Sequence, residues 1–209
     1  RSLARQVSTA LEWEDPNTDL TSKPRAVFAW RGSGGGRFYG TTLDNPSRSD
    51  SLDYRSALGD GTTEPLTLYG PNFEGLSSTP NALAEVRGST NVRILGPKEE
   101  NRCPQALFAQ SQNVLIAGMT GLGGTPNRAV VGFVDADDAL ALNLHIYGES
   151  RETMTGFIVD EHSAFGQALG IPVLHNVSAY TRGSFDDSVF PHCGDALCDP
   201  WNETATSCA

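Results

Sequence analysis

The chain has 209 residues, of which 38% are hydrophobic and 19% are charged, with 22 glycines and 12 prolines. Such a composition is typical of a globular protein rich in turns and excludes a disordered chain, and the length fits one large domain or two small ones. The net charge of −10 disfavours nucleic acid and anionic lipid as partners, and no apolar run approaches the ~20 residues that span a bilayer.

Short apolar or alternating runs separated by turn residues predict a chain of β-strands after a polar lead-in. The predicted strands cover residues 26–30, 38–43, 52–58, 66–69, 106–109, 114–117, 129–134 and 140–147. Glycine-rich residues 32–36 are predicted as a hairpin loop, and residues 135–138 as a hairpin turn. The best helical candidate is 163–169, which ends before Gly170 and Pro172.

Residues 24–70 and 104–148 resemble each other in four places and in the same order. A repeated unit usually indicates a repeated supersecondary element. We therefore predict an all-β fold of two antiparallel β-sandwich-like repeats of Greek-key or immunoglobulin-like type. The matched segments are 24–29 with 104–109, 40–42 with 118–120, 46–48 with 126–128, and 66–70 with 144–148, at offsets of 78 or 80 residues.

The same pattern divides the chain into four predicted parts. Residues 1–23 form the lead-in, 24–100 the first β repeat, 101–190 the second, and 191–209 a small cysteine-rich tail. Because units of this size bury little apolar surface, we expect the repeats to pack on each other or to be held by Cys103.

Cysteines and sequons point to the secretory route. Cys193, Cys198 and Cys208 crowd the tail and Cys103 lies elsewhere, a distribution that predicts disulfides, although Cys193 and Cys198 with His192 leave zinc as an alternative. Asn-x-Ser/Thr sequons begin at Asn176 and Asn202, which are predicted glycosylation sites. We expect an extracellular or cell-surface protein.

Catalytic motifs are absent from the sequence. The four histidines, at positions 145, 162, 175 and 192, form no H-x-H or H-E-x-x-H pair, and neither G-x-S-x-G nor a phosphate-binding loop occurs. No catalytic residue is therefore predicted.

Two acidic clusters were weighed as calcium sites. The tail carboxylates Asp195, Asp199 and Glu203 are a candidate structural Ca²⁺ site, the only cofactor considered. The acidic residues of 135–138 are interpreted as a solvated turn.

The order of features in each copy resembles the CHRD domain, the repeated module of chordin. The resemblance implies an extracellular, CHRD-like β module used for protein binding or matrix assembly, without catalysis. It is carried by residues 26–29 (AVFA), 40–43 (GTTL), 51–54 (SLDY), 66–71 (LTLYGP) and 144–148 (LHIYG).

The tail has a second resemblance. Residues 193–208 resemble an extracellular cysteine-rich repeat of the pattern CGDGxCDPxET, similar in style to Lin-12/Notch repeats. The pattern ends in Pro-x-Asp-Cys, so the resemblance implies a module that is incomplete at Ala209.

Together these features predict a non-enzymatic structural or interaction protein of an extracellular assembly or matrix. Its expected partners are other extracellular proteins or copies of itself, with attached glycans, and neither nucleic acid nor a membrane span is expected. The alternatives are an accessory domain of a secreted hydrolase and, third, a metal-dependent enzyme like superoxide dismutase, which would need the missing H-x-H pair.

Overall fold

Short strands dominate the chain, as the sequence predicts. The structure, a computed structural model, describes residues 11–13, 25–31, 35–40, 42–44, 54–74, 82–99, 106–122, 129–147, 156–162, 167–171 and 176–190. Within these ranges the single helical element is a 3₁₀ turn, Asp187–Val189.

The described strands are short, with the exception of β15. In chain order they are β1 (Leu11–Trp13), β2 (Arg25–Arg31), β3 (Gly36–Tyr39), β4 (Thr42–Asp44), β5 (Tyr54–Asp60), β6 (Leu66–Tyr69), β7 (Asn72–Glu74), β8 (Ala84–Arg87), β9 (Thr90–Leu95), β10 (Lys98–Glu99), β11 (Ala106–Ala109), β12 (Gln112–Ala117), β13 (Thr120–Leu122), β14 (Ala129–Val134), β15 (Asp137–Tyr147), β16 (Gly156–His162), β17 (Gln167–Ile171) and β18 (Asn176–Arg182).

These strands build a parallel β-solenoid. In sheet A, β2, β5, β8, β11, β14 and β16 lie side by side in sequence order and run parallel. In sheet B, β3, β6, β9, β12 and β15 do the same. The chain alternates between the two sheets, so it winds in coils. Phe38 lies beside Leu68, then Ile94, then Ile116, and one coil therefore takes between 22 and 30 residues.

Sheet B bends into a third face. The long strand β15 pairs with β12 through its first half and with β13 through its second, and β4, β7, β10 and β13 continue that second run. At the bend, which we call the second corner, each coil has one residue with positive φ, the conformation that favours glycine. These residues are Gly40, Gly70, Gly96, Gly118 and Asn143. The corner amide of Gly96 donates to the carbonyl of Ala117 in the next coil at 2.7 Å, and the other corner glycines repeat this bond.

The core lies between the sheets. Alternate side chains of each strand point inward and stack on their equivalents in the next coil, as Phe108 does on Phe133 at a ring-centroid distance of 5.4 Å. Of the predicted core residues, the buried ones are Leu66, Leu68, Phe108, Leu115, Val130, Phe133, Leu144 and Ile146. Trp30 and Phe73 are also buried, as expected for core aromatics.

Antiparallel strands close the ladder at its ends. β1 pairs with β2, β17 pairs with β16, and β18 pairs with β15. After β18, residues 183–190 reach the outer face of sheet B, where Phe190 lies on Arg93. We call residues 183–190 the strap.

The prediction of two antiparallel β-sandwich-like repeats, whether Greek-key, immunoglobulin-like or CHRD-like, is wrong. The strands are mostly parallel and their neighbours are one coil away in sequence. Period-two alternation shows which residues face the core, but it is the same for both strand directions, so it could not distinguish them. The all-β part of the prediction agrees with the structure.

Two local predictions fail for related reasons. The predicted hairpins at 32–36 and 135–138 would pair sequential strands, whereas β2 and β14 belong to sheet A and β3 and β15 to sheet B. The chain turns a corner there instead. The helix predicted over 163–169 is contradicted by β17, which starts at Gln167.

The internal similarity reflects the coil. Equivalent positions three coils apart are separated by 78 residues, as from Phe38 to Ile116, and Gly40 and Gly118 occupy the same corner position. Residues 46–48 and 126–128 lie outside the described residues. Strands on either side of position 100 are direct neighbours, β8 with β11 and β9 with β12, so both sheets continue across it.

Candidate functional site

The corner between sheets A and B, which we call the first corner, repeats one backbone conformation. Gly61, Gly88, Gln110 and Asp135 all have positive φ, between 50° and 69°. The amide of each donates to a carbonyl in the next coil at 2.8–2.9 Å. The corner is therefore a stack of fixed turns, and side chains that leave it are held in register.

Inside this corner runs a ladder of hydroxyl groups. Thr62, Ser89 and Ser111 are buried at equivalent positions. The Thr62 amide donates to Ser89 Oγ at 3.1 Å, and the Ser89 amide donates to Ser111 Oγ at 3.3 Å. Because buried amides are costly when unpaired, these hydroxyls stabilise the turns.

Outside the corner, the next position in each coil forms a ridge. Its members Thr63, Thr90, Gln112 and Asp137 are exposed or partly exposed. The amides of the last three donate to carbonyls of the preceding coil at 2.8–2.9 Å. Adjacent ridge residues lie one coil apart, a rise of about 4.8 Å.

Two open grooves flank the ridge. The first, the corner groove, has a volume of about 410 Å³, and its lining includes Ser89, Thr90, Gln110, Gln112, Asp135 and Asp137. The second, the strap groove, has a volume of about 390 Å³, and its lining includes Thr90, Asn91, Asn113, Asp138, Ser184 and Asp186. No lysine or arginine is among the described residues that line either groove.

A polar cluster lies at the C-terminal end of the corner groove. Its centre is Asp160, whose side chain is only 5% exposed. Arg182 Nη1 donates to Asp160 Oδ1 at 2.6 Å, and the Tyr180 hydroxyl donates to Asp160 Oδ2. Burial, reinforced by the hydrogen bond to Asp160, raises the pKa of Tyr180 well above its ordinary value. The hydrogen bond to Asp160 also raises the pKa of Arg182.

The outer part of the cluster is looser and faces the groove. Asp137 Oδ1 lies 3.7 Å from His162 Nε2 and 3.6 Å from Arg182 Nε. His162 Nδ1 lies 3.9 Å from Asp135 Oδ1. These distances are those of ion pairs rather than hydrogen bonds. Two carboxylates and an imidazole thus meet where the corner groove ends.

The cluster also ends the core. In sheet A the inward position occupied by Phe108 and Phe133 in successive coils is occupied by Asp160 in the next. The ring of Tyr180 stacks on Phe133 at 5.9 Å and presents its hydroxyl to Asp160. The last coil therefore closes the apolar stack with a hydrogen-bonded polar layer.

The strap is fastened to sheet B by both main-chain and side-chain contacts. Asn113 pairs with the main chain of Asp186, as Nδ2 donates to its carbonyl at 2.8 Å and Oδ1 accepts from its amide at 2.7 Å. Arg93 Nη1 contacts Asp187 Oδ1 at 3.0 Å. The Ser184 amide donates to Asp138 Oδ1 at 2.9 Å.

The acidic residues at 135–138 were predicted as a solvated turn, and the structure separates their roles. Asp135 and Asp137 line the corner groove, whereas Asp138 binds the strap. A hydrogen bond from Gln112, followed by the one from Ser184, lowers the pKa of Asp138. Among the described residues, no group of three His, Cys, Asp or Glu side chains is arranged to hold a metal ion.

The structure describes one of the two predicted glycosylation sites. Asn176 and Ser178 of its sequon are exposed at the start of β18, whose partner within sheet B is β15. Cys103, Cys193, Cys198, Cys208, Asn202 and the carboxylates of Asp195, Asp199 and Glu203 lie outside the described residues. His145 is exposed on β15.

Sequence reasoning missed the polar cluster. Asp160, His162, Tyr180 and Arg182 carry no motif and are joined only by the pairing of β16 and β18 with the rest of the solenoid. Their one signal is a polar residue at an apolar strand position, as Asp160 follows Ile158 by two residues.

In comparisons with protein-family models, curated proteins and solved structures, the chain matches none. No helix in the described part of the chain has the length and hydrophobicity needed to span a membrane.

Proposed function

We propose that this chain is a non-enzymatic secreted or cell-surface protein that contributes, by binding, to an extracellular assembly or matrix. Its contact surface is the first corner, with the ridge and the two grooves beside it. Its partners are other components of that assembly.

The observation that carries this proposal is the regular presentation of polar groups on a rigid backbone. Thr90 and Gln112 occupy the same ridge position in successive coils, and each is fixed by a main-chain hydrogen bond to the preceding coil. Side chains held in this way lose little entropy when they bind a partner. The grooves on both sides supply a concave surface.

The contacts of Asp160 support a binding role over a catalytic one. Both of its carboxylate oxygens are engaged, one by Arg182 and the other by Tyr180, and the side chain is buried. A carboxylate that closes the core in this way contributes to stability and is poorly placed to meet a substrate.

The extracellular location rests on the accessibility of Asn176. The side chain is exposed, as is Ser178, so an oligosaccharide attached there would meet solvent. The proposed disulfides of the four cysteines, glycosylation of Asn202 and a structural Ca²⁺ at Asp195, Asp199 and Glu203 belong to the same proposal.

Non-reducing peptide mapping of the protein from its native source, with detection of glycans, tests this location. We expect a glycan on Asn176 and disulfide-linked peptides that contain Cys103 or the tail cysteines. Unmodified Asn176 together with four free thiols would place the protein in a reducing compartment and contradict the proposal.

One observation favours a second candidate, a part of a secreted hydrolase. Asp135, Asp137 and His162 meet at the end of the corner groove, and paired carboxylates serve glycoside hydrolysis as acid and base. Turnover of an oligosaccharide that is lost in Asp137→Asn, with binding retained, would favour this candidate.

A further inference from the structure

We infer that the corner groove binds a carbohydrate chain that carries no acidic groups and lies along the solenoid axis across Thr90, Gln112 and Asp137. This inference rests on the proposed binding function, for which it names the ligand class.

The chemistry of the lining suits sugar hydroxyls. Ser89, Thr90 and Ser111 contribute hydroxyls, Gln110 and Gln112 contribute amides, and two aspartates contribute carboxylates. Hydroxyl and amide groups both donate and accept, so they pair with either end of a sugar O–H. A carboxylate accepts from two neighbouring sugar hydroxyls at once.

The charge of the groove selects against acidic sugars. Both titratable groups of the lining are aspartates, and no basic described residue lines the groove. A uronate or sulfate would be repelled, both locally and by the net charge of −10.

The periodicity of the ridge favours a periodic ligand. Thr90, Gln112 and Asp137 follow each other in register, each one coil further along the axis. A rise of about 4.8 Å per coil lets successive sugar rings meet successive ridge side chains. At the first of these coils Gly88 leaves room, because a Cβ built on it would meet no atom within 4 Å.

Other occupants fit less well. A second copy of the chain would bring another −10 charge to an acidic groove. A basic peptide would need open carboxylates, but Asp137 already lies near His162 and Arg182.

The test is binding of the full chain to defined oligosaccharides. Neutral, amino-sugar and uronate-containing oligosaccharides of increasing length, together with a basic peptide, are titrated by calorimetry. We expect neutral or amino-sugar chains to bind, with affinity that rises with chain length until the ridge is spanned, and no binding of the uronate chains.

Variants locate the site. Gln112→Ala and Thr90→Val should each weaken binding roughly tenfold, the loss expected for one or two hydrogen bonds. Thr120→Ala is the matched control, since Thr120 is exposed on β13 of the third face and should bind as the parent does. Circular dichroism and thermal unfolding confirm that each variant is folded.

The inference is overturned if no oligosaccharide binds, if uronate chains or the basic peptide bind best, or if the ridge variants bind as Thr120→Ala does. These results differ from failure of the proposed function. A protein that carries the Asn176 glycan and disulfides but binds no sugar keeps its extracellular assignment and loses only this ligand.

Discussion

A single buried carboxylate joins three strands at the C-terminal end of the solenoid. Asp160 lies on β16 and accepts hydrogen bonds from two residues of β18, which in turn pairs with β15. Its cost of burial is offset by Arg182 and by the Tyr180 hydroxyl. Stability at this end therefore depends on the charge of one side chain.

Asp160→Asn should lower the free energy of unfolding by about 1–3 kcal/mol, because the amide keeps the shape but loses the charge-assisted bond to Arg182. Urea unfolding measures the change. Glu161→Gln, on the next residue of the same strand and exposed, is the control and should change stability by less than about 0.5 kcal/mol. Equal effects of the two substitutions would contradict the structural role of Asp160.

Tyr180 makes stability depend on alkaline pH. Burial and Asp160 raise the pKa of Tyr180 in the folded state, so its protonated phenol contributes stability that is complete below the unfolded pKa of about 10. That contribution is lost as the pH rises through the higher folded pKa. Tyr180→Phe should lower stability at neutral pH by about 1 kcal/mol and make the alkaline loss less steep.

Unfolding curves at a series of alkaline pH values measure this effect. Tyr39→Phe, which keeps the ring stacked on Tyr69, is the control at the other end of the solenoid and should retain the steep alkaline loss. A Tyr180→Phe profile that runs parallel to that of the parent would show that the phenol is not the responsible group.

Among the elements, the strap depends on one buried arginine. Arg93 points outward from sheet B yet is only 3% exposed, because it contacts Asp187 and lies 4.1 Å from the ring centroid of Phe190. Its Nε also donates to Thr67 Oγ1 at 3.2 Å. The guanidinium thus connects the strap to the sheet by an ion pair and a cation–π contact.

Arg93→Ala should release the strap and lower stability by about 2–3 kcal/mol, the sum expected for these contacts. Hydrogen exchange of residues 184–190 should become faster, while the strands of sheet A keep their protection. Lys98→Ala, at an exposed position on the third face, is the control. Unchanged exchange in the strap of Arg93→Ala would show that Arg93 does not hold it.

The corners explain why glycines recur at the second corner. Gly96 has φ +63°, and an added Cβ would lie 3.8 Å from the Cα of Gly70 in the neighbouring coil. Gly96→Ala should cost about 1–2 kcal/mol, since a residue with a Cβ is strained at this φ. Gly59, whose φ is not positive and whose added Cβ would make ordinary contacts with Val86, is the control.

Chemical unfolding of both glycine variants provides the measurement. A Gly59→Ala protein more strongly destabilised than Gly96→Ala would mean that the stacked corner turns are not formed as described.

The positions of the strands could be predicted from the sequence, but their partners could not. Strands 66–69, 106–109 and 129–134 were predicted with the observed bounds, because apolar runs end at Gly, Pro or Asp. Corner residues such as Asp135 have the composition of hairpin turns, although they lead into the other sheet. Turn composition does not specify where the chain goes next.

At the scale of the whole molecule, the internal similarity was real and its interpretation was wrong. An offset of 78 residues is three coils, since coil lengths vary and only every third coil happens to match in sequence. The inward file continues through every coil, with Phe108, Phe133 and Asp160 as its last members. A period that varies from coil to coil hides a solenoid from a search for fixed repeats.

The candidate site follows from that winding. The ridge, both grooves and the polar cluster combine residues 22 to 48 positions apart, and parallel register alone brings them together. None of these residues forms a motif along the chain. A sequence-based search could identify Asn176 but not the grooves.

The register of the parallel sheets is tested most directly by through-space NMR contacts between backbone protons of neighbouring strands. The solenoid predicts contacts of Ala106 with Val131 and of Phe108 with Phe133, in the pattern of strands that run the same way. Contacts of β14 with β15 in the antiparallel pattern of a hairpin, in place of these, would contradict the fold and with it the groove.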